Sequence, residues 1–79
     1  MALITKFERK PEVEGQLHKG VIGHFKVFSH DGQQPVLQID TYGTAAREKP
    51  GKLSQTIQLS ESSAKELWAL LGETYGFGR

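Results

Sequence analysis

The stretch LQIDTYGTAAREKPGKLSQTIQL, from Leu37 to Leu59, holds two runs of alternating apolar and polar residues around a polar loop. In the first run Leu37, Ile39 and Thr41 fall on one side and Gln38, Asp40 and Tyr42 on the other. In the second, Leu53, Ile57 and Leu59 share a side that only Gln55 interrupts, with Ser54, Thr56 and Gln58 opposite. A period of two is the signature of a strand with one buried face. The loop after Gly43 carries Arg47, Lys49 and Lys52 around Glu48. Its Pro50-Gly51 pair suits a type II turn, where proline presets φ and glycine supplies the positive φ that follows. Together these features predict a hairpin with a basic loop.

Upstream, Val21 to Ser29 (VIGHFKVFS) is rich in Val, Ile and Phe. Its alternation sets Val21, Phe25 and Val27 on one face and Ile22, His24, Lys26 and Phe28 on the other. His30, Asp31, Gly32, Gln33 and Gln34 follow, and Asp-Gly tolerates the positive backbone angles of a hairpin turn. Pro35 is expected to close that turn before strand pairing starts, with the return strand running from Val36 to Tyr42. Ahead of this, Ala2 to Phe7 reads as a brief edge strand or a frayed end, and Pro11 to Gly20 has no sustained period, so residues 1–20 form a less regular segment.

Downstream of Leu59 the period lengthens, and Ala64, Leu67, Trp68, Leu71 and Tyr75 fall at spacings of three and four. That stripe predicts an amphipathic helix. Ser60 can cap it, or Ser63 with Glu66 can form a capping box if it begins later, and Glu61 suits the positive end of the helix dipole. Gly72 or Gly76 can end it, leaving 76–79 as a flexible tail. The expected fold class is therefore α+β: an antiparallel β-sheet of three to four strands followed by one C-terminal amphipathic α-helix packed on one face. The other face stays open, and on it the alternation places Ile22, His24, Lys26, Phe28, Val36, Gln38, Tyr42, Ser54, Thr56 and Gln58.

Length and composition bound the function. The chain has 79 residues, 37% of them hydrophobic and 24% charged, which makes a single globular domain over 1–79 whose small core gains from dimerisation. The absence of cysteine removes disulfides, thiolate metal sites and a cysteine nucleophile, and favours a cytoplasmic setting. The apolar opening is too short for a signal-peptide core or a membrane span. The formal net charge of +1 is unevenly spread, with most cations before residue 60, and the open face is permissive for a polyanion.

No enzymatic constellation emerges. Asp40 and Glu48 lack a partner at catalytic spacing, and the serines from Ser60 to Ser63 read as helix caps rather than nucleophiles. His18, His24 and His30 recur every six residues. On a continuous strand that spacing separates neighbours by about 20 Å, beyond the reach of one metal ion. Neither a cofactor nor a small-molecule substrate is expected. Rings interleaved with cations on an open sheet do meet the requirements for gripping single-stranded nucleic acid, since bases stack on rings and cations track phosphates. The alternative is that Phe28 and Tyr42 belong to a dimer core and the loop cations are ordinary solvated charge. In that reading the chain is a protein-interaction or assembly module, of the accessory or phage type, working through Ile22, Phe28 and Val36.

The run LQIDTYG, the polar loop ending EKPGK, the strand TIQLS and the following SESSAKELWALL resemble the C-terminal core of the positive-cofactor-four (p15 transcriptional coactivator) family and its small bacterial relatives. The resemblance covers about Val21 to Gly72. It implies a four-stranded antiparallel sheet backed by a helix, a homodimer formed through helices and sheets, and binding of single-stranded DNA along the strands and loops. It further implies that Lys49 and Lys52 contact phosphates, that Tyr42 stacks on a base, that Lys26 lines the same surface and that Phe28 stands near the family's hairpin aromatic. Arg47 joins them as a loop cation. The chain departs from the family in a longer spacing after the KPGK turn, in its near neutrality and in the HDGQQP turn, which lacks a basic tip.

Overall fold

The computed structural model describes residues 1–42 and 53–77. Its elements are β1 (Ala2–Ile4), β2 (Gly23–Ser29), β3 (Pro35–Tyr42), β4 (Leu53–Leu59) and α1 (Glu61–Tyr75). The strands form one sheet in the order β1-β4-β3-β2. The sheet is mostly antiparallel and the helix follows it, the α+β arrangement expected from the sequence.

The β2–β3 hairpin turns at Asp31 and Gly32, whose φ values of 54° and 70° are the paired positive angles of a type I′ turn. Gln33 donates its backbone N–H to the His30 carbonyl at 2.9 Å, closing the turn. Pairing then starts at Pro35, opposite Ser29, one residue earlier than the sequence suggests. Proline is tolerated there because it is the first residue of its strand. Val21 and Ile22 fall outside β2, which begins at Gly23.

The alternation read from the sequence is realised in the register. Phe25 and Val27 lie opposite Ile39 and Leu37, which lie in turn opposite Ile57 and Leu59. These residues make the apolar face. His24, Lys26, Phe28, Val36, Gln38, Asp40, Thr56 and Gln58 occupy the other, polar face. Between Thr41 and Tyr42 the ladder slips, bringing Tyr42 opposite Leu53. Such a bulge re-aims the side chains beside it.

β1 adds a fourth strand by pairing parallel to β4, with Ala2 opposite Ile57 and Ile4 opposite Leu59. The resemblance implies an all-antiparallel sheet; this one pair departs from it. A parallel partner requires a long connection, and residues 5–52, which include β2 and β3, lie between the two strands. After β1 the chain runs beside the helix, where the Phe7 N–H donates to Glu66 Oε1 at 2.8 Å. Glu66 thus serves the N-terminal segment rather than a capping box.

Ser60 caps α1: its Oγ accepts from the Ser63 N–H at 3.3 Å, and its carbonyl accepts from the Ala64 N–H at 2.9 Å. Gly76, with φ of 76°, closes the other end by donating its N–H to the Gly72 carbonyl at 2.9 Å. Beyond it the Phe77 ring stacks on Tyr75 with centroids 5.8 Å apart.

The helix packs against the apolar face at the end of β4. Ser60, Glu61 and Ala64 share a hollow there with Val27, Leu37 and Leu59, and Leu59 is 4% exposed. On the helix, Ser63 is buried and Leu67 and Leu70 are half-buried on the side that lines a hollow with Phe7 and Arg9. Of the predicted stripe, Ala64 lines the hollow against the sheet, Leu67, Leu71 and Tyr75 border the hollow with Phe7 and Arg9, and Trp68 is 66% exposed. In the single chain, therefore, Ala64 and Leu67 of that stripe are half-buried, while Trp68, Leu71 and Tyr75 stay exposed.

Candidate nucleic-acid interface

The polar face is built from three strands whose alternation brings one side chain in two to the same surface. Its centre is a hydrogen-bonded row. Gln58 donates its amide N–H to Gln38 Oε1 at 2.9 Å, Gln38 donates to both Asp40 oxygens at 3.1 and 3.2 Å, and the Thr56 hydroxyl donates to Asp40 Oδ1 at 2.9 Å. An ionised carboxylate only accepts. Asp40 therefore dictates that Gln38 turns its NH2 inward, which leaves the Gln38 carbonyl to receive Gln58. The orientation of both amides follows from one acidic residue.

Packing reinforces the row. Thr56 is 8% exposed although it lies on the polar side, and Gln38, Asp40 and Gln58 are half-buried. A half-buried polar row is tolerated only when its groups are paired, and among the described residues no buried side-chain nitrogen or oxygen lacks a partner.

Aromatic and cationic groups flank the row on the β2 side and at the bulge. His24 meets Tyr42 edge to face, with centroids 5.2 Å apart and planes at 88°. Lys26 holds its ammonium 5.8 Å from the centroid of the Phe28 ring, within the range of a cation–π contact. Phe28 lies opposite Val36, and the two are half-buried. Ile22, expected beside them, precedes the strand and is exposed.

Of the residues picked from the sequence, Lys26, Phe28 and Tyr42 share the polar face as the alternation requires. Arg47, Lys49 and Lys52 lie outside the described residues. Of the histidines, His24 is on the polar face and His30 sits in the turn beside Asp31, 3.4 Å away. Asp40, set aside in the sequence as an isolated carboxylate, proves to be the hub of the face. Its signal was present in the parity of Gln38 and Asp40 on one strand and Thr56 and Gln58 on the next, which becomes a cluster once the register is fixed.

Among the described residues no helix is long and apolar enough to cross a membrane. No family model, curated protein or solved structure matches the chain.

Proposed function

We propose that this chain is a small non-enzymatic module that binds single-stranded nucleic acid, DNA or RNA, with the polar face of its sheet, in transcription, replication or repair. The observation that carries this reading is the gathering of His24, Tyr42, Lys26 and Phe28 around a row of amides on one surface. Rings give sequence-tolerant stacking, cations meet phosphates, and amides offer hydrogen bonds to base edges. Arg47, Lys49 and Lys52, which lie between β3 and β4 in the sequence, are added as phosphate contacts on the chain's resemblance to the positive-cofactor-four family.

The working unit is a homodimer in the cytoplasm. Phe25 and Val27 are 74% and 62% exposed on the apolar face. A second copy covering this face and the Trp68 stripe leaves both polar faces available.

Fluorescence anisotropy of a labelled oligonucleotide tests the reading. Binding should weaken steeply with salt, and the double variant Lys49→Ala, Lys52→Ala should weaken it alike for all sequences and lower the salt slope by ~2. An unchanged anisotropy at micromolar protein and low salt would exclude the function.

A second reading is favoured by the same exposed Phe25, Val27 and Trp68: an assembly module whose apolar face meets another protein. In that case the lysine substitutions are silent and association depends on Phe25.

A further inference from the structure

We infer that the polar face discriminates among bases, preferring those that carry an exocyclic amine over thymine and uracil, with Asp40 as the discriminating acceptor. The inference rests on the binding function proposed above and assigns it a chemistry.

Asp40 sits mid-strand, opposite His24 on β2 and Thr56 on β4. A carboxylate there repels phosphates, so a strand crossing the face must keep its phosphates toward the rim, near Lys26, and turn its bases to the sheet. The carboxylate is held in place: Thr56 donates to Oδ1, and one Gln38 amide N–H is shared between Oδ1 and Oδ2 at 3.1 and 3.2 Å. A carboxylate offers about four acceptor positions. Oδ2, engaged by that shared bond alone among the described residues, retains capacity for another donor.

The donor that fits is an N–H of a base amine. Cytosine presents N4, adenine N6 and guanine N2, and pairing of an acidic side chain with the cytosine amine is an established mode of base readout. Thymine and uracil instead set carbonyl oxygens on either side of their single N3–H. Those oxygens face the carboxylate unfavourably. Tyr42, in edge contact with His24 next along the face, is placed to stack on the same base. The face therefore combines tolerant stacking with one selective acceptor, and Thr56 and Gln38 act as positioning residues that hold Asp40.

Oligo(dC) and oligo(dT) of equal length give the cleanest test, because both are pyrimidine strands of equal charge. At neutral pH and fixed salt, the protein should bind oligo(dC) about five- to tenfold more tightly. Asp40→Asn should tighten oligo(dT) binding by removing the repulsion, and bring the ratio toward unity. Thr56→Val leaves the charge but frees the carboxylate, and should reduce the preference less, with circular dichroism confirming that each variant is folded. Equal binding of the two strands by the unaltered protein, or a ratio unmoved in a folded Asp40→Asn variant, overturns the inference while leaving nucleic-acid binding intact. Failure to bind any strand overturns both.

Discussion

The two faces of the sheet invert the usual relation between polarity and burial. On the polar face Thr56 is almost fully buried and its neighbours pair with one another. On the apolar face Phe25 and Val27 stand open, Ile57 is partly exposed, and only Leu59 is well covered. Hydrogen bonds across adjacent strands are satisfied within a single chain once the register is set. Apolar burial instead needs a second layer, and a 15-residue helix docked at one end of the sheet supplies only part of it. The polar face is thus satisfied within one chain, whereas the apolar face is left largely uncovered by it.

The sharpest way to break this contrast is Phe25→Asp. If a second copy covers the apolar face, two buried rings are lost at once, each worth about 1.5–3 kcal/mol. Sedimentation should then show a shift from dimer to monomer at concentrations where the unaltered chain remains associated. Identical sedimentation of variant and parent would place the partner elsewhere. Nucleic-acid binding per chain should survive, since Phe25 points away from the polar face.

The converse substitution, Phe28→Ala, should leave association intact and weaken oligonucleotide binding by ~1–3 kcal/mol, the value of one base stacked on a ring. The pair separates the faces: each variant should lose one property and keep the other. A Phe28→Ala protein that binds normally in anisotropy titrations would remove that ring from the interface.

The smallest effect is expected at the junction. Ser60→Ala deletes the side chain that accepts from the Ser63 N–H, at a cost of ~1 kcal/mol in stability. Thermal melting should fall by ~4–8 °C, with association and binding both retained below the transition. A larger loss would mean that the helix start supports one of the faces as well as the helix.

The sequence was most informative where information is local. Alternation located the strands ending at Ser29, Tyr42 and Leu59 to within two residues at their starts, and Ser60 announced the helix. It also assigned Lys26, Phe28 and Tyr42 to one surface. It was least informative about contacts between distant segments. Ala2–Ile4 is too short to show a period, and its partner β4 lies about fifty residues further along the chain, beyond the reach of any local pattern. The stripe through Trp68 shows that the helix has an apolar side but not whether that side meets its own sheet or another chain. The hydrogen-bonding role of Asp40 was missed for a related reason: a lone acid in a strand looks isolated until its cross-strand neighbours are known.

The pairing of β1 with β4 has a consequence for how the molecule is made. The β2–β3 hairpin closes over a short turn, and such local contacts form early. β1, which precedes β4 in the chain, has to wait until β4 exists, since Ala2 pairs with Ile57. Once β4 has paired with β3 and until β1 docks, β4 has one open edge, the sort of surface that recruits strands from other chains. Residues 2–4 therefore act as a late-arriving guard, and a chain shortened by these few residues would trade a finished fold for a propensity to aggregate.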